Sequence, residues 1–376
     1  MIPTGEPAGE PAAAGAGRIF AEPENLAGIV RAAFGPGRRL AAVHRLRGGS
    51  KKGVYRLTLD DGATVIGYLW NAAENYWPAA QREAGQSQAD PFSGASGAGL
   101  FEASHACLDG LGVRVPQVYL LDRSRAAYPA DIALVEDVRG ASLETQLERD
   151  LPGADQALAQ LAAAISVMHQ LRGPRFGKLA YVSGSAAGQD DSGQGDSAED
   201  DSIACQDGAA QDGAAQDAAG SYLSCEQVVL DRALADLDTA ATRVERLAAA
   251  RGQLADLTRA LAAAVPARAQ YGLIHGELGP DHVLIDERGH PVIIDIEGVM
   301  FFDVEWEHAF LELRFGEHYR WLRATDLDDR RLRFYRLALC LSLIAGPLRL
   351  LDGDYPDREP MMEIVEANIT RALALL

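Results

Sequence analysis

Cysteine is scarce in this chain. Cys107, Cys205, Cys225 and Cys340 are scattered over 376 residues with no C-x-x-C spacing. That argues against a thiolate metal knuckle or a disulfide framework, and the pattern fits reduced thiols in a cytoplasmic protein. Long apolar runs are missing too: none approaches the ~20 residues that span a bilayer. Met1 to Gly17 is rich in Pro, Gly and Ala, without a basic start or an apolar stretch, so it does not read as a signal peptide. Positive charge is short, with 35 Lys and Arg against 54 Asp and Glu, a formal net charge of −19. Nucleic acid and anionic membranes need clustered cations, so neither is expected as a partner. A cationic small molecule suits such a surface. H-E-x-x-H, G-x-S-x-G and G-x-x-x-x-G-K-[ST] are all absent, so the metalloprotease, serine-hydrolase and P-loop readings lose their main support.

What remains is 48% hydrophobic and 24% charged, enough for one large two-lobed domain or two ordinary ones. Residues 1–22 read as a disordered lead-in. A short helix is expected over Asn25 to Phe34, then strands over Val54 to Leu59 and Thr64 to Trp70, joined by the turn signal Asp60-Asp61-Gly62. A Gly-rich turn, Gly48-Gly49-Ser50-Lys51-Lys52-Gly53, precedes the first of these strands. A helix over Leu100 to Leu111, strands over Gln117 to Leu121 and Ile132 to Val135, and a connector over Glu136 to Gly140 complete a small lobe, residues 23–140. Residues 141–376 read as mainly helical, around a segment from Tyr271 to Phe302 that holds a hairpin at Asp286 to Gly289. Within them, 183–221 carries the tandem Gln-Asp-Gly-Ala-Ala. Acidic and poor in large apolar side chains, it cannot offset the entropy of ordering and is expected to be a disordered insert.

The chemistry-bearing stretch is His275-Gly276-Glu277-Leu278-Gly279-Pro280-Asp281-His282, followed by Ile293-Ile294-Asp295-Ile296-Glu297-Gly298. A phosphoryl-transfer site needs a carboxylate to orient or deprotonate the acceptor hydroxyl, a metal ligand shortly after it, and a strand Asp that bridges metal to phosphate. Glu277, His282 and Asp295 occupy those slots.

On these two motifs the chain resembles the aminoglycoside phosphotransferase family, the small-molecule branch of the protein-kinase-like fold, over about residues 40 to 345. The resemblance implies an α+β, two-lobed fold, with a small antiparallel-sheet N-terminal lobe and a mainly helical C-terminal lobe. It also implies ATP in the cleft with Mg²⁺ or Mn²⁺, and transfer of the γ-phosphoryl group to a hydroxyl of a small molecule. Carried over by position, Glu277 orients the acceptor, His275 fixes the loop, Asp295 bridges metal to phosphate and Asp303 ties the next segment to the loop. His282 stands where the family has a metal-binding Asn. As a nitrogen ligand it suits Mn²⁺, unless Asp281 turns in or a single metal is held; a structural histidine is the alternative. The backbone of Gly49 and Ser50 would cover the phosphates, and the backbone near Glu136 and Val138 would meet the adenine edge. The strand Thr64 to Trp70 has no Lys. Lys51 or Lys52 is expected to supply the missing ammonium and to pair with Glu102, which matches the family's lysine-pairing residue. Tyr76 and Trp77 would either cap the cleft or anchor their own loop. The polar stretch Asp303 to His308 would either bind a cation or begin a helix capped by Asp303. The competing reading, favoured by the same departures, is a pseudokinase that works as a nucleotide-sensing or protein-binding module. Neither the acceptor nor the oligomeric state is legible.

Overall fold

Residues 53–59 alternate strictly, with Tyr55, Leu57 and Leu59 buried and Arg56 and Thr58 half-buried, the pattern of a strand with one face inward. In the computed structural model, which describes residues 18, 20–47, 49–79, 90–92, 94, 96–184 and 224–376, this strand is β2 (Gly53–Leu59). It lies beside β1 (Leu40–Arg45), β3 (Thr64–Leu69), β4 (Val118–Asp122) and β5 (Ile132–Glu136), in the antiparallel order β1-β2-β3-β5-β4. One face packs Leu57, Leu59, Val65, Leu69 and Leu134 against Leu26, Ile29 and Val30 of helix α1 (Pro23–Phe34). The other sets Ile66, Tyr68 and Val135 against Phe101 and Leu108 of helix α2 (Ala98–Gly110).

Most of the expected lead-in and the expected insert from residue 185 lie outside the described residues. The end of the lead-in is ordered against expectation. Arg18 forks onto both carboxylate oxygens of Asp354 at 2.5 Å and donates to the Ala73 carbonyl at 2.7 Å.

The connector after β5 crosses a hairpin formed by β9 (Val283–Ile285) and β10 (Pro291–Ile293). Ile285 N donates to the Ala141 carbonyl at 3.1 Å. A Cβ on Gly140 would lie 1.8 Å from the Ile285 carbonyl oxygen, so only glycine allows this approach.

Beyond the connector come α3 (Leu143–Glu148), α4 (Ala154–Gln170), α5 (Leu179–Gly184), α6 (Cys225–Ala241) and α7 (Glu245–Ala263). A four-stranded sheet joins β6 (Arg172–Gly173), β8 (Tyr271–Ile274), β11 (Met300–Phe302) and β7 (Gly177–Lys178) in that order. The expected helical tail is three helices, α8 (Val304–Phe315), α9 (Asp329–Leu350) and α10 (Arg358–Leu373), with a 3₁₀ segment after α8. Helix α8 is buried from Val304 to Leu311, its acidic residues included. No helix among the described residues is long and apolar enough to cross a membrane.

Candidate active site

Strand β8 is buried throughout and leads directly into His275. Gly276 then takes φ +93°, a left-handed turn open mainly to glycine, and Glu277 emerges exposed at the cleft. The loop is held from below. Glu307 on α8 accepts from the backbone N–H of His275 at 2.5 Å and of Gly276 at 3.3 Å. Burial pushes its carboxyl up to about 7, against the pull of those N–H groups. His275 Nε2 donates to the Ile294 carbonyl at 3.0 Å, and its Nδ1 faces the N–H of Glu277 at 3.4 Å. Burial, then neighbouring His282, pulls the ring down to about 4, so it is a neutral strut at ordinary pH.

His282 stacks on His275 with ring centroids 5.9 Å apart. Its Nδ1 meets the Glu277 carbonyl at 2.8 Å, and a carbonyl only accepts, so Nδ1 carries the proton. Nε2 is left 3.8 Å from both Asp281 Oδ2 and Asp295 Oδ2. Burial opposes charge on this ring, yet Asp281 and Asp295 hold its pKa above the ordinary value. Asp281 does not turn into the cleft; Arg314 holds its other oxygen at 2.7 Å.

Asp295 follows β10 in a left-handed backbone, φ 61° and ψ 43°. Asp tolerates that conformation better than most residues, though at a cost of ~1–2 kcal/mol, and here it aims the carboxylate into the cleft. Its Oδ1 receives Lys52 Nζ at 2.7 Å, and the same ammonium meets Glu297 Oε1 at 2.5 Å. Burial opposes the charge on Lys52, but the two carboxylates hold its pKa above normal, and Lys52 holds Asp295 well below the usual carboxylate range despite desolvation. Lys52 Nζ sits 4.8 Å from the centre of the Tyr68 ring. Tyr68 lies on β3, the strand without lysine, and is buried beside Phe101. Of the two lysines of the Gly-rich turn, Lys52 rather than Lys51 is the one in contact with Asp295 and Glu297.

The expected partner Glu102 is not there. Helix α2 buries Ala98, Leu100, Phe101, Ser104, Cys107 and Leu108. That helical phase turns Glu102 outward, where it pairs with exposed Arg123 at 3.2 Å. Phe101 points in instead, 5.7 Å from Tyr68 and 5.6 Å from Trp70 between ring centres. The lysine's second carboxylate is Glu297, which also accepts from Trp70 Nε1 at 3.2 Å.

A cavity of about 220 Å³ is lined by Gly49, Ser50, Lys51 and Lys52 on one side and by His275, Glu277, Asp295 and Glu297 on the other. Trp77 lines it as well, its indole N–H donating to Ser50 Oγ at 3.0 Å, while Tyr76 packs on Tyr355 and anchors its own loop. Glu136 and Val138 lie outside the cavity. Glu136 forks onto Arg114 at 2.6 and 2.7 Å. Val138 is buried, and no hydrogen bond of its backbone N–H is found among the described residues. Gly48 falls outside those residues. Among them, no group of three or more His, Cys, Asp or Glu side chains converges on one metal position.

The stretch Asp303 to His308 neither binds a cation at the cleft nor supplies a side-chain cap. Asp303 is fully buried, held by Arg331, Tyr335 and, at 3.2 Å, Arg268. Glu305 takes Arg268 in a fork at 2.7 and 2.8 Å. Sequence reasoning missed Glu297, Glu307 and Lys178. Only Glu297 left a signal, an acid two residues beyond the strand Asp.

An antiparallel-sheet lobe joined to a helical lobe, with paired carboxylates on the loops between them, is the architecture of kinase-like phosphotransferases. Residues 100–335, well over half of the chain, match the sequence model of the phosphotransferase enzyme family, and the protein belongs to that family. Its fold is similar to that of spectinomycin phosphotransferase APH(9)-Ia in complex with ADP and spectinomycin, at 13% identity and TM-score 0.57, covering 94% of this chain and 98% of that one. LicA in complex with AMP (11% identity, TM-score 0.53, coverage 93% and 97%) and the apo form of a thermostable mutant of aminoglycoside phosphotransferase APH(4)-Ia (16%, 0.51, coverage 89% and 95%) share it too. At these identities the likeness concerns the fold alone. No curated relative matches the sequence.

Proposed function

We propose that this protein transfers the γ-phosphoryl group of ATP to a hydroxyl of a small molecule. The observation that carries the reading is the Lys52–Asp295–Glu297 triad, placed in one cavity with Glu277 on a loop whose backbone is pinned by Glu307. In this reading, Lys52 exchanges part of its contact with Asp295 for phosphate oxygens, and the backbone of Gly49 and Ser50 lies over them. The unbonded backbone edge at Val138 supports an adenine contact at the connector. Glu277 accepts the hydrogen bond of the acceptor hydroxyl and holds its oxygen in line for attack. Positioning and charge neutralisation are the whole of the catalysis, with no covalent enzyme intermediate.

A divalent cation fits the residues present. Asp295 Oδ2 and Nε2 of His282 face each other across 3.8 Å; with Nε2 in its neutral, unprotonated form they would hold the ion, and phosphate oxygens would complete the shell. Such an ion, Mg²⁺ or Mn²⁺, neutralises phosphate charge when bound. Residues 23–140 and 141–376 would be the two lobes that close on the nucleotide.

Calorimetric titration of ATP with Mg²⁺, with Mn²⁺ and with neither tests the reading. Metal-dependent binding that Asp295→Ala abolishes is the expected result. No binding under any condition would overturn it in favour of a pseudokinase.

A further inference from the structure

The chain holds 35 cationic Lys and Arg side chains, yet only three are lysines, Lys51, Lys52 and Lys178, and all three line the same cavity. Arginine is always charged and planar, whereas lysine is a compact point charge on a flexible stem. Confining the point charges to one cavity of an otherwise arginine-only chain marks a ligand.

Lys52 already has its carboxylates. Lys178 does not. It ends the two-residue strand β7, paired with Met300 of β11, and is 2% exposed. Among the described residues its ammonium has no hydrogen-bond or ion-pair partner. A buried, unpaired cation is costly. Burial, then Lys51, pulls this ammonium down to about 8, with Asp90 and Glu277 opposing. Arg232 of α6 reaches the same cavity, 3.5 Å from Asp90, with its guanidinium 5.3 Å from the centre of the Phe92 ring. Lys51 Nζ lies 5.9 Å from the centre of the Trp77 ring. Away from the Lys52 triad, the described lining of the cavity presents Lys178 and Lys51 with no carboxylate in contact, and Arg232 already paired with Asp90 and 4.0 Å from Asp236, against the one acid Glu277, although the molecule as a whole is acidic. Phe92, Trp306, Phe310 and Leu339 wall this end.

We propose that the acceptor is an anion: Lys178, flanked by Lys51 and Arg232, takes a carboxylate or phosphoester of a hydroxylated compound with an apolar body, while its hydroxyl lies at Glu277. The proposal rests on the phosphotransferase reading and reverses the expectation of a cationic acceptor. An ammonium group here would meet Lys178 and Lys51 instead of a counter-ion.

The test uses the full chain with ADP and Mg²⁺ present and a pair of aldehydes as probes, pyridoxal 5′-phosphate and pyridoxal. The lysine amine adds to the aldehyde carbon and water leaves. Borohydride then delivers hydride to the imine carbon, fixing a secondary amine that peptide mass spectrometry assigns to one of only three lysines. The expected result is Lys178 labelled at least tenfold faster by the phosphorylated probe, and slowed by inorganic phosphate. Equal rates with the two probes, or no label at Lys178, would overturn the proposal. Label that ADP and Mg²⁺ abolish would also overturn it, by assigning Lys178 to the nucleotide phosphates. Failure of ADP to bind, read separately by calorimetry, counts against the phosphotransferase reading and leaves the labelling to judge the anion site alone.

Discussion

Glu307 is a buried acid that holds the catalytic-type loop with no cation to balance it among the described residues. It is 1% exposed, accepts from two backbone N–H groups, and its second oxygen is buried with no partner among the described residues. Its carboxyl is pushed from 4.5 to about 7, mainly by burial. The folded state therefore holds this proton more tightly than the unfolded chain does. The stabilisation is complete below the unfolded value of 4.5 and is lost as pH rises through the folded value near 7. A shift of that size amounts to about 3 kcal/mol, most of which falls between pH 5 and 8. Glu307→Gln keeps a carbonyl acceptor for the two N–H groups and does not titrate. Its stability relative to the parent should thus rise by about 2–3 kcal/mol between pH 5 and 8. Urea denaturation of both proteins at four pH values measures this, because every other titration is common to the pair and cancels. A difference that stays flat within ~0.5 kcal/mol, or falls with pH, would refute the assignment.

Three further outcomes are expected. Gly140→Ala places a Cβ 1.8 Å from a carbonyl oxygen and should cost at least about 2 kcal/mol in urea melts; a loss under ~0.5 kcal/mol would mean the connector does not cross the hairpin there. Asp303→Ala leaves Arg331, 1% exposed, with only Glu226 at 3.9 Å as a carboxylate partner and should cost about 3–5 kcal/mol, whereas an effect typical of a surface pair would place the aspartate outside the core. Glu102→Ala should leave ATP affinity unchanged by calorimetry, because its partner is exposed Arg123; a tenfold loss would restore it to the phosphate site.

Legibility in the sequence followed the kind of information each element carries. The strands of the first lobe were readable because β2 alternates and Asp60-Asp61-Gly62 turns it. The site was readable in part because Glu277 and Asp295 keep their spacing on short rigid elements. The lysines of the Gly-rich turn were legible as candidates, since a strand without lysine beside a turn with two leaves few donors, but which of them reaches Asp295 was not. Glu102 misled because its match fixes a position on a helix but not the helix's phase, and Phe101, one residue earlier, takes the inward face. The acids of α8 misled for the opposite reason. A helix buried all round has no polar face to read, so the stretch Asp303 to His308 was read as a cation-binding stretch or a capped helix start, when Asp303 and Glu305 pair with arginines in the core and Glu307 holds the loop. Lys178 lies in a two-residue strand with no motif around it, and only the fold brings it to the cavity.

The most direct measurement is calorimetric titration of ATP and Mg²⁺ into the parent protein, Lys52→Met and Lys51→Met. The account predicts that Lys52→Met weakens nucleotide binding at least tenfold while Lys51→Met changes it far less, since Lys52 alone is engaged with Asp295 and Glu297. Equal affinity for Lys52→Met and the parent would contradict it, because the cleft would then bind nucleotide without the ammonium on which the site is built.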